Sequence, residues 1–134
     1  MANEISITHR LQIAKGAFQF YFAPSTLQAD LASEASAGGN QVIGSTPEAL
    51  DLNTDVSANG IAYFQNLSTA IPIEIGVTGY TSQAPPGMTQ LISLFRLNAG
   101  ESCIARAATT SIFAQAITSG TNTQAFLSFQ LFSP

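Results

Sequence analysis

Residues Gly60 to Thr78, GIAYFQNLSTAIPIEIGVT, decide the fold class. In Gly60–Leu67 the side chains of Ile61, Tyr63 and Gln65 alternate with those of Ala62, Phe64 and Asn66. In Ile71–Val77 the residues Ile71, Ile73, Ile75 and Val77 share one face, opposite Pro72, Glu74 and Gly76. A period of two is the mark of a strand. The short polar link Ser68-Thr69-Ala70 then predicts an antiparallel hairpin. Neither strand carries reaction chemistry.

Outward from this stretch the same signals recur. Glu4–Lys15 alternates, with Ile5, Ile7, Leu11 and Ile13 on one face and His9 among them. It predicts one long half-buried strand. Gly16 breaks it, and Ala17–Ala23 follows with Phe18, Phe20 and Phe22 on one side. Large aromatic rings are expected in the core, with a subunit interface or a binding platform as the other readings. Pro24-Ser25 turns the chain, and Thr26–Ala35 suits either a strand, over Leu27–Leu31, or a short helix capped by Ser25 or Thr26, with the strand favoured. Ser33–Asn40 (SEASAGGN) is small and polar, and predicts a loop tip. Gln41–Ile43 is a short strand.

Downstream, Gly79–Thr89 is a loop whose Pro85-Pro86-Gly87 cannot continue a ladder. Its residues Tyr80, Pro85, Pro86 and Met88 form a candidate contact loop. Gln90–Leu97 and Ser102–Ala107 are predicted to pair as a hairpin across Asn98–Glu101. Ile112–Thr118 is a further strand. Ala125–Phe132 is apolar on both faces, as in a central strand or a covered edge. No repeat and no long helical pattern interrupts this series. The expectation is a single all-β domain over residues 1–134, an antiparallel β-sandwich of eight to ten short strands. The leading form is a jelly roll, with residues 1–15 able to reach a neighbouring subunit.

Composition narrows the function classes. Of 134 residues only 9% are charged, where about 25% is usual. A chain so poor in charge is expected to use Ser, Thr, Asn and Gln in its place and to bury surface against copies of itself. Arg10, Lys15, Arg96 and Arg106 are the only Lys and Arg residues, and the net charge is −4. That is too little for the several phosphate contacts of nucleic-acid binding, and it argues against a membrane surface as well. No signal peptide is visible, so synthesis in a cytoplasm is expected.

Catalytic patterns are missing. His9 is the only histidine and Cys103 the only cysteine, so a nucleophile–base pair or a zinc site is not expected. Cys103 reads as a small buried hydrophobe. Asp51-Leu52-Asn53-Thr54-Asp55 opens like a calcium loop. Val56 then stands where glycine belongs and Ala62 where glutamate belongs, so a turn is expected there. Asn66-Leu67-Ser68 is a formal glycosylation sequon. No enzyme activity, metal or cofactor is expected.

One resemblance sharpens the reading. Gly44-Ser45-Thr46-Pro47-Glu48-Ala49-Leu50-Asp51-Leu52, then Asp55-Val56 and Gly60, then Phe64-Gln65-Asn66-Leu67 and an Ile/Val-rich strand, resembles small virion structural proteins of tailed bacteriophages. The turn Leu97-Asn98-Ala99-Gly100-Glu101 is similar to that group too. Pro72 and the Pro-Pro-Gly loop depart from it. The resemblance implies a small β-domain present in many copies on a particle. Most concretely it implies a capsid decoration protein, a homo-oligomer such as a trimer bound to a major capsid or tail protein. A tail or head–tail connector component and a carbohydrate-binding sandwich are the alternatives.

Overall fold

The computed structural model describes residues 5–29, 36–52, 60–79, 90–107, 109, 111–118 and 124–132. These form twelve strands and, among the described residues, no helix. The chain divides into two compact units, Met1–Glu34 with Pro134, and Ala35–Ser133.

The larger unit holds β5 (Ser36–Ile43), β6 (Glu48–Ala49), β7 (Ile61–Asn66), β8 (Ile73–Gly79), β9 (Gln90–Leu97), β10 (Ser102–Arg106), β11 (Phe113–Ala116) and β12 (Ala125–Phe132). They make two four-stranded antiparallel sheets, ordered β10-β7-β12-β5 and β6-β11-β8-β9. The alternation in the sequence sets which residues meet between the sheets. Phe64, Leu127, Phe129, Leu131 and Ile43 come from one sheet, and Ile73, Ile75, Leu97, Ala114 and Ala116 from the other, in a single buried cluster. This is a β-sandwich, as the sequence predicts. β12 is central, flanked by β7 and β5, which accounts for its two apolar faces.

The pairing differs from the expected hairpins. β7 and β8 belong to opposite sheets, and so do β9 and β10. Gln65 pairs with Ser102 in one sheet, and Ile73 pairs with Leu97 in the other. Each connection therefore crosses the sandwich as an arch. Together 60–79 and 90–107 form one ribbon folded over the core.

Asn66 is the physical reason. It is fully buried, and its Nδ2 donates to the carbonyls of Ile71 at 2.8 Å and Leu97 at 3.1 Å. Its Oδ1 accepts from Ser68 N at 3.0 Å. Its backbone N donates to Glu101 O, and its own carbonyl accepts from Gly100 N. Both arches are thus tied to one side chain. Ser68 Oγ accepts from Phe126 N at 2.9 Å, anchoring the first arch to β12. A sequon asparagine held in this way is structural rather than an exposed acceptor.

A second departure concerns the expected loop tip Ser33–Asn40. Its described part, from Ser36 onward, is strand, and β5 pairs with the whole of β12 from Phe132↔Ser36 to Ala125↔Ile43. Pairing against a buried neighbour overrides the weak strand propensity of glycine and serine.

The smaller unit is an interrupted hairpin. β1 (Ile5–Ile7) pairs with β4 (Leu27–Ala29), and β2 (Leu11–Lys15) pairs with β3 (Phe18–Phe22). The single strand expected over Glu4–Lys15 is broken at Thr8–Arg10. Opposite the break lies Pro24, which has no N–H to offer a ladder. The Thr8 and Thr26 hydroxyls meet across the gap at 3.2 Å.

A candidate interface on the first hairpin

The turn between β2 and β3 is Gly16-Ala17, with Gly16 at φ +59°. Glycine at the first position of a two-residue turn suits the twist of the flanking strands. The register then places Leu11 opposite Phe22, Ile13 opposite Phe20, and Lys15 opposite Phe18. These six side chains share one face. Gln12 and Ala14 lie opposite Tyr21 and Gln19 on the other. There the Arg10 guanidinium sits 5.3 Å from the centre of the Tyr21 ring and donates to Gln12 Oε1 at 3.0 Å.

The expected burial of the three phenylalanines does not hold. Phe18 is 61% exposed, Phe20 44% and Phe22 54%, with Leu11 and Ile13 at 48% and 44%. Among the described residues β2 and β3 form a sheet of two strands only, and a face of so small a sheet is buried only where a second layer covers it. Large aromatic side chains carry roughly 150–250 Å² each, so the five side chains leave on the order of 450 Å² of apolar surface open. At about 25 cal/mol per Å² that is roughly 11 kcal/mol of unclaimed hydration free energy. A whole domain is stable by only about 5–15 kcal/mol. A contiguous apolar patch of this size is a candidate interaction surface.

The sandwich exposes apolar side chains more sparsely. Val42 and Phe126 are cross-strand neighbours on the outer face of their sheet. Leu94 is 66% exposed, and it is the extra residue of a β-bulge where Ile75 pairs with Phe95 and Gly76 with Ser93. Beside it a cleft of about 260 Å³ opens between the sheets, lined by Phe64, Ile75, Val77, Leu94, Phe95 and Arg106 among others. Phe64 and Phe95 meet there with ring centroids 5.6 Å apart. Its described lining holds no acid, histidine or cysteine.

The remaining sequence-predicted residues are dispersed. His9 is exposed in the break between β1 and β2, not turned inward on a continuous strand. Cys103 is half-buried against the core, and desolvation raises its thiol pKa. Asp51 is exposed, and its backbone N donates to Gln41 Oε1. Among the described residues no group of three or more His, Cys, Asp or Glu could hold a metal ion. Tyr80, Pro85, Pro86 and Met88 lie outside the described residues.

Glu101 closes the second arch, its carboxylate accepting from Asn98 N at 2.7 Å and Asn98 Nδ2 at 3.2 Å. These bonds hold its pKa below the ordinary glutamate value. The feature that strand patterning missed is the exposure of Leu11–Phe22. The small polar run Ser33–Asn40, which contains the boundary between the two units at Glu34 and Ala35, was the available signal.

Comparison with protein-family models, with curated proteins and with solved structures finds no match to this chain.

Proposed function

We propose that this chain is a non-enzymatic structural protein of a tailed-bacteriophage particle, synthesised in the host cytoplasm. Its most concrete role is a capsid decoration protein that strengthens the head through contacts with itself and with a major capsid protein. The observation that carries this reading is the exposed apolar hairpin face of Leu11–Phe22, in a chain whose other unit closes its own core. One part is built to stand in water and the other to be covered. Repeated on many copies, modest contacts of this kind multiply into firm attachment. The sequence resemblance at Gly44–Leu67 supplies the particle.

The sandwich itself we read as a jelly roll. Its two ribbons, 36–49 with 113–132 and 60–79 with 90–107, each cross from one sheet to the other. The resulting strand orders suit that architecture. A tail or head–tail connector role uses the same surfaces and differs in copy number.

Quantitative mass spectrometry of density-purified particles tests the reading. Hundreds of copies per particle are expected. A few copies would place the chain at the neck or tail tip, and its complete absence would overturn the proposal.

A further inference from the structure

We propose that the β2–β3 hairpin is a self-association element. Its Leu11/Ile13/Phe18/Phe20/Phe22 face packs on the same face of a second copy of this chain, as an antiparallel two-fold pair. The inference deepens the oligomer part of the preceding proposal and rests on that part, not on the particle.

Three observations choose this occupant. The first is the polarity of the two faces. One carries five half-exposed apolar side chains; the other carries Gln12, Gln19 and the Arg10–Tyr21 pair. Two such hairpins placed face to face form a four-stranded, two-layer unit that is dry inside and polar on both outer surfaces. Alone, a two-stranded hairpin is marginal in water.

The second observation is area. Pairing two patches covers on the order of 900 Å² of apolar side chain. That nearly reaches the roughly 1,000–1,200 Å² of a modest specific interface, before strand backbones and the Lys15 stems are counted.

The third is the placement of charge. Lys15 is the one charged side chain on the apolar face, and it stands at the turn end opposite Phe18. A parallel arrangement, two-fold or three-fold, would crowd these ammonium groups together. The antiparallel pair sets them apart by about four residues of strand, roughly 14 Å at a rise of about 3.4 Å. That exceeds the Debye length of about 8 Å at physiological salt. The ammonium of each copy then projects past the far end of its partner's hairpin.

The test uses the full chain in light scattering and sedimentation velocity over a range of concentrations. The wild-type chain is expected to reach twice the monomer mass. Phe20→Asp is expected to halve that mass, with the circular dichroism and melting of the sandwich unchanged. Ile13→Asn, a milder change on the same face, should do the same, whereas Gln19→Asp on the polar face should keep the dimer. A wild-type chain that stays monomeric, or a Phe20→Asp mass equal to wild type, overturns the proposal.

Orientation is read by cross-linking in a Cys103→Ser background. Ile13→Cys, near the two-fold axis, should oxidise to a linked dimer, and Lys15→Cys should not. The reverse pattern, or a trimer mass, overturns the antiparallel pair. A chain that dimerises in this way and is absent from purified particles would sink the particle reading alone. A monomer abundant on particles would sink this inference alone.

Discussion

β12 and β3 are written in the same language and end in opposite surroundings. Ala125–Phe132 places Leu127, Phe129 and Leu131 at alternate positions, and all three are buried. Phe18–Phe22 places three phenylalanines at alternate positions, and all three are exposed. Alternation defines a face; it does not supply what the face meets. β12 has a paired strand on each side and a second sheet above it. β3 has one paired strand. The sandwich closes its core within one chain, whereas the hairpin leaves its apolar face exposed.

Substitution separates the two regions most sharply at Asn66. Asn66→Ala removes three side-chain hydrogen bonds at the crossing of the arches, taking a donor from the carbonyls of Ile71 and Leu97 and an acceptor from Ser68 N. Each unsatisfied buried group costs about 1–3 kcal/mol, so a loss of roughly 3–5 kcal/mol is expected in denaturant unfolding. A loss under about 1 kcal/mol would mean that the arches hold without their shared side chain.

The direct contrast comes next. Leu127→Ala should cost about 2–5 kcal/mol, the range for a large-to-small change in a packed core. Phe20→Ala, measured dilute enough to be monomeric, should shift the unfolding of the sandwich by no more than about 0.5 kcal/mol, as surface changes do. Equal losses at the two sites would erase the distinction between a closed sandwich and an open hairpin.

A smaller effect probes the bulge. A Cβ at Gly76 would run into the carbonyl oxygen of Ile92, so the two strands must separate to admit it. Gly76→Ala is expected to cost about 1–3 kcal/mol, the range for overpacking, and to increase hydrogen exchange in β9. Unchanged exchange there would show that the bulge absorbs the methyl group.

The smallest effect is one of pH. Glu101 has its folded pKa lowered, by the backbone and then the side chain of Asn98. The ionised form is therefore the one that favours folding. Its contribution is present above the unfolded pKa and is lost as pH falls through the folded one. Glu101→Gln should flatten the acid limb of the stability–pH curve slightly and leave neutral pH nearly unchanged. An unaltered acid limb would remove the Asn98–Glu101 contact from the account of the second arch.

Much of this architecture was legible in residue order. The strands Ile61–Asn66, Gln90–Leu97, Ser102–Arg106 and Ala125–Phe132 fall where patterning placed them, and Ile73–Gly79 runs two residues later than the expected Ile71–Val77, taking in Gly79 from the expected loop. Their partners were not legible, because a hairpin and an arch share the same pattern around a short polar link. What separates them is the depth of Asn66, and a buried asparagine looks like a turn asparagine in a sequence. Ser36–Asn40 was hidden because its small residues earn strand geometry only from β12. The exposure of Phe18, Phe20 and Phe22 was hidden for the converse reason: nothing local to β3 says how many strands will pair with it. Among the described residues no group of three or more His, Cys, Asp or Glu is gathered, and the exposed hairpin face is the candidate interaction surface.

The central claim, that the hairpin is the covered part of the molecule and the sandwich the self-sufficient part, is tested most directly by hydrogen exchange on the full chain at low and high concentration. The account predicts protection that rises with concentration across Leu11–Lys15 and Phe18–Phe22, while β7, β8 and β12 stay equally protected throughout. Concentration-dependent protection confined to the sandwich, or none anywhere, would contradict it.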